Sequence, residues 1–298
     1  MPSREYLAAL EQFPKGIAVP GDGYEEVRRK FAPAHGHDPG PDIAVEDARL
    51  GGVGGTWTAV KGEAADRVIL FFHGGAFVSC PAETYTFYAA WLVRAARARA
   101  FIVDYALAPE TRFPKQLEQC AAAYRGLVRE VSPKRIAFAG DSCGGGMALA
   151  TLLRLRDAGV PLPACLVSIS GWFDLEVSGE SATNPVGEDR FVHPVWMRER
   201  GRDYLGPQGD PRDPQASPVH ADLRGLPPLF LQVGQVDVTR DDAVRVAARA
   251  GRDGSAVVLE IWPDMIHGFQ GMQGFCPEAA AAIASASEFV KRHIPERT

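Results

Sequence analysis

The sequence predicts an α/β protein built on a mostly parallel sheet with helices on both faces. Three observations point there. Short apolar runs alternate with helical patterns over most of the chain; 298 residues with 46% hydrophobic content can bury one large core; and one apolar run ends in a serine flanked by glycines. Apolar strands without polar alternation mark a sheet that is covered on both sides.

In chain order, Val68 to Phe72 reads as a strand and Tyr85 to Ala98 as a helix. Ala100 to Asp104 is followed in the same way by Lys115 to Val131, and Arg135 to Ala139 by Gly145 to Ala158. Cys165 to Ser170, Leu229 to Val233 and Val257 to Trp262 supply further strands, Thr56 to Val60 an edge strand, and Glu278 to His293 a closing helix. Two regions break the alternation. Residues 1 to about 45 hold two short helical patterns, the first with Ser3 as its N-cap, and residues 175 to 225 are rich in Pro, Gly and charge around the amphipathic Pro194 to Leu205. An insertion of that length in a compact domain is usually functional. Regions 1–45 and 175–225 are expected to form a cap on a catalytic domain spanning 46–298, over the carboxyl ends of the strands where an open α/β sheet binds its ligands. Trp196, Met197, Tyr204 and Leu205 are its expected buried anchors.

A net charge of -5 leaves no basic surplus, which argues against nucleic acid and anionic membrane surfaces as partners. The run Arg28-Arg29-Lys30 is expected to be a solvated helix face. The N-terminus lacks the apolar block and cleavage site of a signal peptide, and no apolar run reaches spanning length. Five widely spaced cysteines without a Cys-x-x-Cys pair suggest neither a disulfide framework nor a zinc site, so a cytoplasmic protein with reduced thiols and no metal is expected.

Residues Ile136 to Gly146 carry the chemistry: an apolar run enters Gly140-Asp141-Ser142-Cys143-Gly144 and a helical pattern leaves it. A serine hydroxyl is a poor nucleophile unless a tight strand-to-helix turn presents it to a base, and that turn needs small residues two positions either side. In a chain with 31 glycines the pentapeptide means little without partners for Ser142. The expected base is His267, in Trp262-Pro-Asp-Met-Ile-His-Gly-Phe269 after an apolar strand. His35 and His37 are expected to be solvated loop residues, His193 and His220 polar surface residues of the insertion, and His293 a cation at a helix end. The expected orienting acid is Asp237, at the carboxyl end of Leu229-Phe-Leu-Gln-Val-Gly234, with Asp241 and Asp242 as competitors. Backbone donors for a developing oxyanion are expected from Cys143 and from His73-Gly74-Gly75-Ala76-Phe77.

These blocks resemble the hormone-sensitive-lipase-like esterases of the α/β-hydrolases. The matching stretches are His73 to Phe77, Asp104-Tyr-Ala-Leu-Ala-Pro-Glu110 with Phe113-Pro114, Gly140 to Gly145, Gly234-Gln-Val-Asp-Val-Thr-Arg-Asp-Asp242 and His267-Gly-Phe269. The order Ser142, Asp237, His267 is the α/β-hydrolase order. The resemblance implies an α/β-hydrolase fold with an eight-stranded, mostly parallel sheet and a helical cap. It also implies a serine carboxylesterase acting on short to medium acyl esters, without cofactor, and a possible homodimer through an edge strand. Gly74, Gly75, Ala76 and Cys143 are the expected oxyanion donors, and Phe77, Trp172 and Phe191, with Tyr88 and Trp91, are candidates for an apolar substrate pocket, with core packing as the alternative for each. Other readings are an amidase or formamidase, or a non-catalytic receptor of the same fold.

The chain departs from the family pattern at three positions. Ala76 stands where a third glycine is usual, Cys143 replaces an alanine and opens activity to thiol reagents, and Ala106 replaces an arginine and removes its ion pairing.

Overall fold

A computed structural model describes residues 2–12, 16–35 and 37–296; the His35 side chain lies outside the described residues. Eight strands form a single sheet: β1 (Ile43–Leu50), β2 (Val53–Val60), β3 (Arg67–Phe72), β4 (Ala98–Val103), β5 (Ile136–Asp141), β6 (Cys165–Ile169), β7 (Leu229–Gly234) and β8 (Val257–Trp262). Their order is β1-β2-β4-β3-β5-β6-β7-β8. Only the β1–β2 and β2–β4 pairings are antiparallel.

Helices α3 (Thr86–Ala96), α4 (Lys115–Leu127), α5 (Cys143–Asp157), α8 (Arg240–Arg252) and α9 (Pro277–His293) flank the sheet. The chain moves from β3 to β4 toward one edge, then returns across β3 to β5 and continues to β8. Right-handed crossovers therefore place α3 on the face opposite α4, α5 and α8. α3 packs against α9, and α4 against α5. The reversal lies beside β3 and β5, so the loops leaving their carboxyl ends open the crevice where such sheets bind ligands.

The helix expected over Tyr85 to Ala98 stops at Ala96 because Arg97 takes the left-handed conformation (φ 50°), and Ala98 starts β4. The edge is β1 rather than the expected Thr56 to Val60, which lies inside β2 between β1 and β4. β1 shows no apolar alternation because its middle residues are mostly exposed. The Gly51-Gly52 turn joining it to β2 has two positive φ values (56° and 84°), the hairpin geometry that matches strand twist. The first strand also begins at Ile43, so helical structure ends before the expected boundary at 45.

Before the sheet come α1 (Arg4–Gln12) and α2 (Tyr24–His35). The Ser3 hydroxyl accepts the Tyr6 N–H (3.0 Å), as an N-cap does, and donates to Glu278 of α9 (2.7 Å). The basic run of α2 is not a free solvated face. Arg28 donates to both carboxylate oxygens of Glu110 and to the Val78 and Ala108 carbonyls, and Lys30 pairs with Asp22 (2.5 Å); only Arg29 stays mostly exposed, against Glu26. The insertion between β6 and β7 carries α6 (Glu180–Thr183) and α7 (Pro194–Leu205), whose Trp196, Met197 and Tyr204 are buried while Leu205 is half-buried. Arg200 of α7 donates to the Asp22 carbonyl (2.7 Å), tying the insertion to the N-terminal segment.

Phe138 of β5 is fully buried at the sheet centre, with Phe72 and Tyr124 edge-on at 5.0 Å. Phe138→Ala is expected to lower unfolding free energy by about 3–5 kcal/mol in urea titration, because the cavity cannot collapse between two strands.

Candidate active site

The elbow follows from how β5 meets α5. Ser142 sits between them at φ 52°, ψ −127°, a strained conformation for a residue with a side chain. Its N–H donates to the Ile169 carbonyl (2.9 Å) and its carbonyl accepts the Trp172 N–H (2.9 Å), fixing the turn to the adjacent β6 segment. Glycine is required around it for space: a Cβ on Gly140 would lie 2.5 Å from the Gly144 carbonyl oxygen, and one on Gly144 would lie 2.1 Å from that of Phe72.

Three expected residues converge here. His267 Nε2 lies 2.9 Å from Ser142 Oγ, and His267 Nδ1 lies 2.9 Å from Asp237 Oδ1. The arrangement is satisfied when Nδ1–H donates to the carboxylate and Nε2 accepts the serine hydroxyl. Asp237 Oδ1 also accepts the N–H (2.7 Å) and hydroxyl (2.9 Å) of Thr239. Burial alone would raise the Asp237 pKa, but the His267 charge and these hydrogen bonds outweigh it and hold the carboxyl below its ordinary value. Burial alone would likewise lower His267; the charge and hydrogen bond of Asp237, followed by the charges of Asp189 and Asp141, bring it up to about 9.

The competing residues are engaged elsewhere. Asp242 accepts the Phe173 and Asp174 N–H groups, and Asp241 that of Ser181. His193 caps α7 by accepting the Val195 N–H (3.2 Å), His220 faces Glu176 (3.6 Å), and His293 Nδ1 lies 2.9 Å from the Phe289 carbonyl.

The loop after β3 closes tightly, since the Val78 and Ser79 N–H groups both donate to the Gly75 carbonyl. Gly75 (φ 93°), Ala76 (53°) and Phe77 (67°) run consecutively through the left-handed region, so Ala76 keeps the backbone shape despite its methyl group. Gly74 packs against Asp141, where a Cβ would lie 2.6 Å from the Asp141 Oδ2. Tyr85 donates its hydroxyl to the same carboxylate (3.1 Å), whose pKa burial raises to about 7. His73 is buried flat against Tyr105 (centroids 4.1 Å apart), and the Tyr105 hydroxyl donates to the His73 carbonyl (2.6 Å).

A family model described as the alpha/beta hydrolase fold matches residues 69–271. The chain belongs to the α/β-hydrolases, in their hormone-sensitive-lipase-like esterase branch. The hydrolase is 39% identical over 226 residues to the acetyl-hydrolase of Streptomyces hygroscopicus, covering 76% of this chain and 75% of that one. It superposes on a crystal structure of an esterase from the bacterial hormone-sensitive lipase family with TM-score 0.92, 37% identity and 99% of each chain covered. A structure of EstE5 soaked in p-nitrophenyl butyrate matches with TM-score 0.91 and 32% identity, over 99% of this chain and 100% of that one.

In this esterase a cleft of about 300 Å³ opens over Ser142 and His267. Phe191 lines it as expected, and so do Tyr88, Phe31, Phe87, Trp196 and Met272. Phe77 and Trp172 do not line it. Phe77 is buried flat against Tyr204 (centroids 3.9 Å apart), and Trp172 sends its indole N–H to the Asp174 carbonyl (2.7 Å); they pack against each other behind the cleft wall. Trp91 instead lies under the Arg94 guanidinium. His37, expected as a solvated loop residue, is exposed yet edges the cleft beside Phe87 (5.2 Å). Phe31 and Trp196 were legible only as apolar positions of amphipathic helices, a pattern that does not separate core from cleft.

The Cys143 thiol is fully buried and accepts the Phe77 N–H (3.2 Å), and burial raises its pKa to about 12. This corrects the expected exposure to thiol reagents. Iodoacetamide at mildly alkaline pH should leave turnover unchanged; progressive inactivation matched by alkylation of Cys143 would contradict the burial.

Charge on His267 stabilises the fold, because its folded pKa of about 9 exceeds the ordinary histidine value of 6.5. That contribution is fully present below pH 6.5 and is lost as pH rises through about 9. Catalysis needs the neutral imidazole. The kcat/KM profile is therefore expected to climb along an acidic limb displaced above the ordinary histidine value.

Proposed function

We propose that the protein hydrolyses short to medium acyl esters by two-step acyl transfer. Hydrolysis of carboxylic esters comes with the family, and the single observation that supports this residue assignment is the line Ser142–His267–Asp237, with 2.9 Å at each step. In this reading Ser142 Oγ attacks the carbonyl carbon while its proton passes to His267 Nε2. His267 then protonates the leaving alcohol as the tetrahedral intermediate collapses to an acyl-serine. Water, deprotonated by His267, attacks the acyl-serine, and His267 returns that proton to Ser142 Oγ as the carboxylic acid leaves. Asp237 holds the imidazole in the required tautomer and stabilises its charged form. The N–H groups of Gly75, Ala76 and Cys143 are the proposed oxyanion donors, together with that of Gly74. Removing one such donor typically costs about 100-fold to 1000-fold in turnover.

The N-terminal helices and the insertion are the proposed cap. Their Phe31, Phe191 and Trp196 close the cleft over Ser142. A short acyl chain is supported by the limited cleft volume and by the names of relatives that act on acetyl groups or were soaked with a butyrate ester. Among the described residues no helix is long and apolar enough to cross a membrane, and all five cysteines are free and buried, which supports a cytoplasmic setting with reduced thiols. A homodimer through an edge strand remains part of the proposal.

Ser142→Ala should lower kcat on a short p-nitrophenyl ester by about a million-fold with the fold intact by circular dichroism, and Asp237→Asn by about ten-thousand-fold. Unchanged turnover in Ser142→Ala would sink the assignment. In a series of p-nitrophenyl esters, kcat/KM should peak among the short chains and fall for the longest; a rise through the longest acyl chain would refute the pocket reading.

A further inference from the structure

The insertion reaches the catalytic residues through one side chain. Asp189, between α6 and α7, accepts the Phe191 N–H (2.9 Å) and the Val192 N–H (3.3 Å) on Oδ1. Its Oδ2 accepts the His267 N–H (3.1 Å) and the Val238 N–H (3.3 Å). One carboxylate thus joins three segments: the insertion where Phe191 and Val192 line the cleft, the loop one residue beyond Asp237, and the loop that carries His267.

We propose that Asp189 is a positioning residue, which locks the cap to the acid and base loops so that one carboxylate sets both the cleft wall and the catalytic imidazole. The inference rests on the triad assignment above. The chemistry of the contact favours a carboxylate. Four N–H donors converge on two oxygens, and an ionised carboxylate is acceptor-only with about four lone-pair sites. An amide would supply one acceptor oxygen and turn its NH₂ toward two of those donors.

The arrangement also has an electrostatic side. An oxygen of Asp189, an oxygen of Asp237 and a ring nitrogen of His267 lie within 4.8 Å of one another. The charged groups facing His267 are Asp237, Asp189 and Asp141, and those facing Asp189 are Asp237 and His267, with the neutral Tyr6 hydroxyl of α1 as a further titratable neighbour. Two acids this close repel, and the imidazolium between them relieves the repulsion. Removing the Asp189 charge leaves Asp237 and Asp141 alone to hold the imidazolium, so His267 gives up its proton at lower pH.

The test compares full-length wild type, Asp189→Asn and Asp189→Glu on p-nitrophenyl butyrate from about pH 5 to pH 10. Active sites are counted with a fluorophosphonate. In Asp189→Asn, kcat per titrated site should fall by about 10-fold to 100-fold, as a small misplacement of the base does. KM should rise with the loosened cleft wall, and the acidic limb should move to lower pH. Asp189→Glu, which keeps the charge but changes its reach, should hold the limb near the wild-type position with a smaller loss of kcat. Wild-type kcat, KM and limb in Asp189→Asn, or a change confined to melting temperature, would overturn the inference. Should Asp189→Asn fail to fold, Asp189→Glu decides: lowered kcat supports positioning, and wild-type kcat and KM overturn it. An inactive Ser142→Ala beside a wild-type-like Asp189→Asn would reject this inference alone, whereas an active Ser142→Ala would reject the triad reading.

Discussion

A serine held at φ 52°, ψ −127° is the constraint on which the rest of the site depends. Such a conformation costs of order 1–3 kcal/mol and persists only where the surroundings over-determine it. Here β5 enters, α5 leaves, and two backbone hydrogen bonds, one to the last residue of β6 and one from the segment after it, pin the residue between them. The nearby glycines allow the turn to press against the β3 loop. That contact brings the Ser142 hydroxyl beside the loop at Gly75 and Ala76, both of which line the same cleft. Because β3 and β5 flank the point where the sheet reverses direction, the fold itself leaves this crevice open.

Around the nucleophile, three acids share one imidazole and differ in what holds each of them. Asp237 is hydrogen-bonded to His267 and Thr239 and stays ionised below its ordinary pKa. Asp141 is buried against Tyr85 and Gly74, and burial raises it. Asp189 is raised by burial and then by the Asp237 charge, while four backbone N–H groups satisfy its oxygens. The same loops gain mechanical support from the N-terminus, where the Tyr6 hydroxyl accepts the Ile266 N–H (3.2 Å) next to the base. Arg28 of α2 does the comparable work at the β3 loop by bonding the Val78 carbonyl and Glu110. Arg28 holds the Glu110 pKa down to about 2.

The parallel strands, the elbow and the order of Ser142, Asp237 and His267 were legible because each is a local signal: a continuous apolar run, a glycine-flanked serine, or a residue at the end of a strand. What was not legible depends on direction. Phe77 and Trp172 occupy loops at the carboxyl ends of β3 and β6, yet their rings pack against each other, and Phe77 against Tyr204, in the layer behind the cleft. β1 was missed because an edge strand with exposed, charged residues has no alternation to read, although the Gly51-Gly52 turn marked its end. Arg28 looked like part of a solvated charge run because its partner Glu110 is distant in sequence. Asp189 was silent for the same reason: an acid in a polar insertion acquires meaning only when folding brings the His267 and Val238 amides to it.

The most direct test of the central claim, that Ser142 is the acylated nucleophile presented by this turn, is peptide mapping after stoichiometric inactivation with a fluorophosphonate. The account predicts one adduct per chain, located on Ser142, with esterase activity lost in proportion to labelling. An adduct confined to another residue, or full activity surviving complete labelling of Ser142, would contradict it.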